Sequence, residues 1–274
     1  MDRAAPARGL RVSVAVDGFD RGIFERTAHR PWPMPGGPWI MTQTWNDLLF
    51  AHWPVDAERV RALIPAGFEV ELFNGSAWLG IVPFHMTNVA PRFVPALPWV
   101  SAFPELNVRT YVTAGGKPGV FFFSLDAGNP LAVAAARTLL NLPYYSAAMT
   151  VDATGGTIAY TSRRQSGPAG RLRQGYGARA EFVARYRGQG DRSPSRRGTL
   201  EHFLTERYCL YAVDHGFHAY RLEIHHPEWA LESADAEITV NTMADAAGLR
   251  LPSMAPLLHF SKRQDAVCWA PERL

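Results

Sequence analysis

The sequence predicts an α+β chain that is mostly β, with a largely antiparallel sheet or barrel and a few peripheral helices. Three observations lead there. Aromatic residues make up 12% of the 274 residues, alongside 21 prolines and 23 glycines, a composition that favours strands and turns over a helix bundle. About a dozen segments alternate apolar and polar residues, or run apolar between turn signals. These segments do not alternate regularly with helices, as a parallel βαβ sheet would require.

Residues 1–38 are rich in Pro, Arg and Gly, and only Leu10 to Val16 alternates enough for a strand. They are expected to form a partly ordered extension that packs on the body or on a partner subunit, with residues 39–274 as a single domain. Trp39 to Trp53 is strand-like with Trp45, Leu49 and Phe50 as core candidates, and Pro54 is expected to break it. Asp56 can cap a helix over Ala57–Leu63, which carries Val60, Leu63 and Ile64 at helical spacing. Phe68–Phe73 and Ala77–Val89 read as strands joined by Asn74-Gly75, with Pro83 marking an edge or a bulge. Three prolines in residues 90–102 suggest a loop over one end of a cavity. Phe103–Val112 and Val120–Asp126 read as a hairpin around Ala114-Gly115-Gly116-Lys117. Asn129 is the expected cap of a helix that starts at Pro130 and ends at Leu142-Pro143. Strands are expected at Tyr145–Val151, Thr157–Arg163, Arg171–Arg187, Tyr208–Val213, His218–His225, Trp229–Val240 and Leu257–Trp269. Short helices are expected at Leu200–Thr205, capped by Thr199, and near Met243–Ala247.

Composition excludes some functions. No apolar run approaches the roughly 18 residues that span a bilayer, and the first residues lack the apolar core of a signal peptide. A cytoplasmic protein that does not enter a membrane is expected, with Cys209 and Cys268 as reduced core residues. Net charge is +3, and the arginines concentrate in residues 163–197 against Glu181 and Asp191. That segment lacks the interleaved aromatics of a nucleic-acid platform, so no nucleic acid is expected and a solvated set of strand edges accounts for it. There is no phosphate loop and no Gly-x-Ser-x-Gly elbow. His215, His218, His225 and His226 lie close in sequence, but His218 and His225 fall on opposite faces of one strand. No metal or other cofactor is expected.

The central hairpin carries the chemistry. Strand alternation puts Glu105, Asn107, Arg109 and Tyr111 on one face. With Thr113 opposite Pro118, the regular register pairs Tyr111 with Val120, Arg109 with Phe122, Asn107 with Ser124 and Glu105 with Asp126. All the polar groups of both strands then share one face, which is either a solvated surface or the wall of a wet cavity. Two carboxylates directly opposite repel unless one is protonated or a cation intervenes, and Arg109 or Arg137 can supply that charge. Such a cluster suits a small polar ligand with one carboxyl as a general acid or base; it equally suits a structural network. Trp78, Phe84 and Trp99 are candidate cavity-wall residues.

Five blocks carry a resemblance: Trp45-x6-His52-Trp53; Gly75-x-Ala77-Trp78-Leu79-x2-Val82-Pro83-Phe84; Phe103-x-Glu105-Leu-Asn107-Val-Arg109-Thr110-Tyr111-Val112; Gly119-Val-Phe-Phe-Phe-Ser124-Leu-Asp126-Ala127; and Ala136-Arg137-x5-Pro143-Tyr144. Together they resemble the YqjF-like domain family of unknown function over about residues 39 to 273, and more remotely acetoacetate decarboxylase. The resemblance implies a long, curved antiparallel sheet that closes on a cavity. Acetoacetate decarboxylases carry a Schiff-base lysine after a Gly-Arg-Glu helix; here Ala136-Arg137-Thr138 leads to Asn141-Leu142-Pro143-Tyr144-Tyr145, with tyrosines where the lysines stand. A Schiff base needs an amine, and the chain has only Lys117 and Lys262.

Two functions from different classes follow. One is a lysine-free enzyme acting by acid–base chemistry on a small carbonyl or carboxylate compound. Glu105, Arg109, Tyr144 and Tyr145 would be catalytic, and Asn107, Tyr111, Ser124, Asp126, Arg137, Trp78, Phe84 and Trp99 would bind ligand. The other is a non-catalytic protein that binds or senses a small organic acid. The expected partner is an anionic or carbonyl-containing small molecule; a homo-oligomer is left open.

Overall fold

The computed structural model describes residues 18–96, 100–140, 142–164, 178–214 and 218–274. Its centre is a 13-stranded sheet. In chain order the strands are β1 (Met41–Val55), β2 (Glu69–Val70), β3 (Ala77–Pro91), β4 (Phe103–Ala114), β5 (Lys117–Ala127), β6 (Tyr144–Thr154), β7 (Thr157–Arg164), β8 (Ala180–Ser193), β9 (Cys209–Val213), β10 (Ala219–His225), β11 (Leu231–Asn241), β12 (Leu257–Cys268) and β13 (Glu272–Arg273). The helices are α1 (Ala57–Leu63), α2 (Pro130–Leu140), α3 (Leu200–Thr205) and α4 (Met243–Ala246), after a short 3-10 turn at Arg21–Glu25. No helix among the described residues is long and apolar enough to cross a membrane.

Local chemistry accounts for most boundaries. Asp56 accepts from the backbone N–H of Glu58 and Arg59 at the start of α1, Asn129 from those of Leu131 and Ala132 at α2, and Thr199 from that of His202 at α3. Asn74 and Gly75 take φ of 50° and 80°, and Gly115 and Gly116 take 57° and 73°; a two-residue turn with both central residues left-handed matches the twist of its strands. Pro54 does not end β1, which runs on to Val55, and β2 is only two residues long. Pro83 lies in an interior strand, opposite the stretch where the β1–β3 register shifts between Asn46 and Ala51. Asp47 has φ of 50° in that bulge, and no ladder bond to Pro83 is needed there. The expected strand start at Arg171 and the segment Leu10–Val16 lie outside the described residues.

Pairing is mostly antiparallel, but β5 runs parallel to β6 and to β9. A parallel neighbour requires a crossover, and α2 provides it between β5 and β6. Two further pairings, β10 with β12 and β4 with β5, join strands far apart in the sheet order. One closed path of pairings therefore runs β5–β9–β10–β12–β1–β3–β4 and back to β5. The alternation of β1 divides the core along this path. Leu49, Ala51 and Trp53 join the larger cluster with Tyr160, Phe182 and Phe260. Leu48 and Phe50 join a second cluster with Phe84, Phe122 and Trp229.

Residues 18–38 lie along the outward side of β10. Arg30 is buried and donates to the Ile224 carbonyl at 2.7 Å, His225 meets the Ile23 carbonyl at 2.8 Å, and Trp32 donates to Glu223 at 2.7 Å. Cys209 and Cys268 are buried free thiols. Arginines of the 163–197 segment pair with nearby acids, Arg163 with Glu181, Arg187 with Asp235 and Arg192 with Glu232.

The central hairpin departs from the expected register at one point. Thr113–Pro118, Tyr111–Val120 and Arg109–Phe122 pair as expected, but β5 carries an extra residue next to Arg109, so Val108 faces Ser124 and Leu106 faces Asp126. A one-residue slip sends every later side chain to the other face. Ser124 and Asp126 therefore leave the face of Glu105 and Asn107. Behind the sheet they meet Arg164, buried with Asp126: its guanidinium donates to Asp126 at 2.6–3.0 Å and to the Ser124 hydroxyl at 2.6 Å.

Candidate functional site

The pairing path through β9, β10 and β12 surrounds a cavity of about 80 Å³. All seven of its strands contribute side chains. The row Glu105, Asn107 and Arg109 of β4 forms the polar stripe of the wall. Phe84, Phe122, Leu125, Trp45 and Trp229 form much of its apolar part. Alternation along β4 brings the three polar groups to one side, and the bulge in β5 places Leu125, rather than Ser124, beside them.

Glu105 is 3% exposed and accepts a hydrogen bond from the Tyr144 hydroxyl at 2.9 Å. Burial pushes its carboxyl up to about 8; the Tyr144 hydroxyl opposes the rise and Asp126, across the sheet, adds to it. Glu105 is thus a neutral acid at pH 7. Burial, then the neighbouring Glu105, push the Tyr144 phenol well above its ordinary range. Tyr160 fixes the backbone here, donating its hydroxyl to the Glu105 carbonyl at 2.7 Å.

Arg109 donates to the Leu204 carbonyl at 3.1 Å, and its guanidinium stands over the Phe50 ring at 5.2 Å. No carboxylate pairs with it among the described residues. Tyr111 is fully buried behind it, outside the cavity lining, and donates its hydroxyl to the same Leu204 carbonyl at 2.8 Å. His52 Nε2 lies 2.6 Å from that hydroxyl. Gly80 leaves room for this arrangement, since a Cβ there would lie 3.0 Å from His52 Nε2 and 3.3 Å from Arg109 Cγ.

The structure sorts the sequence candidates. Glu105, Asn107, Arg109, Tyr144 and Phe84 line the cavity. Arg137 and Tyr145 do not: Arg137 donates to the Tyr144 carbonyl at 2.6 Å, and Tyr145 lies under Arg164 at 4.4 Å, because successive residues of β6 point to opposite faces. Ser124 and Asp126 are turned away by the bulge. Trp78 is half-buried and packs on the cavity-side cluster without lining the cavity. Trp99 and His215 lie outside the described residues, and His218 meets Asp214 at 2.9 Å. Lys117 pairs with Glu223 and Lys262 with Asp47; neither lines the cavity.

Other lining residues were missed. Thr205 ends α3, and Arg207, His226 and Trp229 come from the connections that follow α3 and β10, where neither periodicity nor a motif marks a wall. Trp229 stacks on Trp45 with centroids 5.7 Å apart and meets Phe50 edge-on at 4.9 Å. His226 lies between the carbonyls of Pro227 and Arg207, at 2.7 and 3.1 Å, and burial lowers its pKa. Asn107 Oδ1, Arg109 Nε and Trp229 Nε1 are buried without a partner among the described residues. An unmet buried polar group costs about 1–3 kcal/mol, so three in one wall leave hydrogen bonds for ordered water or another group to complete.

The fold is that of the acetoacetate decarboxylase-like enzymes. The structure is similar to acetoacetate decarboxylase from Legionella pneumophila, with a TM-score of 0.59 and 11% identity over 95% of this chain and 98% of that one. It is also similar to the enduracididine biosynthesis enzyme MppR in complex with pyruvate, with a TM-score of 0.56 and 10% identity over 89% and 93%. An acetoacetate decarboxylase-like enzyme from Sphingomonas wittichii RW1 gives a TM-score of 0.55 and 14% identity over 90% and 97%. Such identities speak for the fold alone. Sequence supplies the family. The model of DUF2071, described as an uncharacterized conserved protein, matches residues 42–265, and the chain is 46% identical over 247 residues to the uncharacterized protein YqjF of Bacillus subtilis (strain 168), covering 90% of this chain and 98% of that one. The chain belongs to the DUF2071 family.

Proposed function

We propose that this chain is an enzyme of the acetoacetate decarboxylase-like group that works without a Schiff-base lysine, by acid–base chemistry on a small carbonyl-containing carboxylate. The observation that carries the reading is Glu105: a carboxyl in the cavity wall, held by Tyr144 and pushed up to about 8 by burial. A proton-transfer group works best when its pKa lies near the working pH. Arg109, without a carboxylate partner of its own, receives the substrate carboxylate. The ionised fraction of Glu105 takes a proton from the carbon next to the carbonyl, the electron pair moves onto the carbonyl oxygen, and the protonated carboxyl returns the proton. Tyr144 holds the other carboxyl oxygen throughout. Arg137, Tyr145, Ser124 and Asp126 have no direct part in this scheme.

Pyruvate, the compound bound by one structural neighbour, is the first probe. In D2O the enzyme should exchange the methyl protons of pyruvate for deuterium, followed by proton NMR, with a rate that rises towards pH 8 and then levels. Glu105→Gln should abolish exchange while pyruvate still binds. Pyruvate binding without exchange by the wild-type protein would replace the enzyme reading with that of a binding protein.

A further inference from the structure

Two arginines line the cavity, Arg109 and Arg207, beside the carboxyl of Glu105, which is neutral at pH 7. His226 also lines it, and burial lowers its pKa. Glu206, between Thr205 and Arg207, is not in the wall; its carboxylate accepts from the backbone N–H of Trp229 at 2.9 Å and from the Tyr208 hydroxyl. Arg207 is 6% exposed and close enough to Arg109 for the two charges to repel. It differs from Arg109 in its partners. Its Nε donates to the Phe203 carbonyl at 2.7 Å, its Nη1 pairs with Glu71, and its guanidinium covers the rings of Phe203 at 4.4 Å and Tyr111 at 5.0 Å. Glu71 follows β2, outside the cavity lining, and its N–H is fixed on the Tyr111 carbonyl at 3.0 Å.

We propose that Glu71 determines the charge specificity of the cavity: by neutralising Arg207 from behind the wall, it leaves Arg109 as the single uncompensated cation, so the site accepts a small monoanion and rejects its isosteric dianion. This rests on the small-carboxylate reading above. The argument is charge balance in a poorly screened site. Arg109 is half-buried, with its Nε buried and unpartnered among the described residues; a guanidinium without a counter-ion in such a place is costly, so Arg109 favours one negative charge. A second anionic group would meet Arg207 already paired with Glu71 and would repel the Glu71 carboxylate. Without Glu71, Arg207 would present a second free charge to the same space.

Pyruvate and oxalate test this, since one differs from the other by a methyl in place of a charged oxygen. Tryptophan fluorescence can report binding, because Trp45 and Trp229 are in the wall; calorimetry gives the constants independently. The wild-type chain should bind pyruvate at least roughly tenfold more tightly than oxalate, the size expected for one like-charge contact in a partly buried site. Glu71→Gln should move the ratio at least roughly tenfold towards oxalate, and Glu71→Gln with Arg207→Gln should move it back towards the wild-type value. Equal or tighter binding of oxalate by the wild-type chain would overturn the proposal even if Glu71→Gln does not fold. An unchanged ratio in a folded, pyruvate-binding Glu71→Gln protein would also overturn it, and would leave the small-carboxylate reading standing. Binding of neither acid to the wild-type chain would overturn both.

Discussion

Glu105 makes a prediction about stability that needs no substrate. Its folded-state pKa of about 8 lies above the ordinary 4.5 that applies in the unfolded chain. Between those values the folded state holds a proton that the unfolded state has released, so stability falls as pH rises. The contribution is fully present below pH 4.5, falls by 1.36 kcal/mol per unit above it, and stops falling above about pH 8. At 3% exposure solvent screening is small. Over pH 5 to pH 9 the loss from this residue is about 4 kcal/mol. Glu105→Gln removes the titration and keeps the shape, so the stability of wild type minus that of the variant should fall by that amount across the range. Asp126, His52 and His226 titrate in both proteins and cancel. With an m-value of roughly 3 kcal/mol/M in urea, the difference between the two midpoints should change by more than about 1 M. Midpoints that move in parallel from pH 5 to pH 9 would refute the assignment of a raised pKa to Glu105, and with it the acid–base role.

Two further outcomes are expected. Arg164→Met leaves Asp126 and Ser124 buried without their guanidinium and should cost about 3–5 kcal/mol in denaturant unfolding, while Arg164→Met with Asp126→Leu should recover most of it, because an apolar pair replaces a buried ion pair at little cost; equal loss in both would show that the pair is not the source. Incubation with pyruvate and borohydride should add no mass to Lys117 or Lys262, and a reduced adduct on either would restore Schiff-base chemistry.

Much of this protein was legible along the chain. Turn residues such as Asn74-Gly75 and Gly115-Gly116, the caps Asp56, Asn129 and Thr199, and period-two alternation are local signals, because backbone conformation and helix ends are settled within a few residues. They located nearly every described strand and helix, and alternation alone put Glu105, Asn107 and Arg109 on one face. What alternation could not supply was the partner of each polar group. One extra residue in β5, favoured by no turn signal, sent Ser124 and Asp126 to Arg164 and left Glu105 to Tyr144. The two closing pairings, β4 with β5 and β10 with β12, turned a polar stripe into a cavity wall. They also brought in Arg207, His226 and Trp229 from segments about a hundred residues further along the chain than β4. Burial, and therefore the raised pKa of Glu105 and the unbalanced charge of Arg109, arises only when distant strands exclude water from these groups; no local pattern records it.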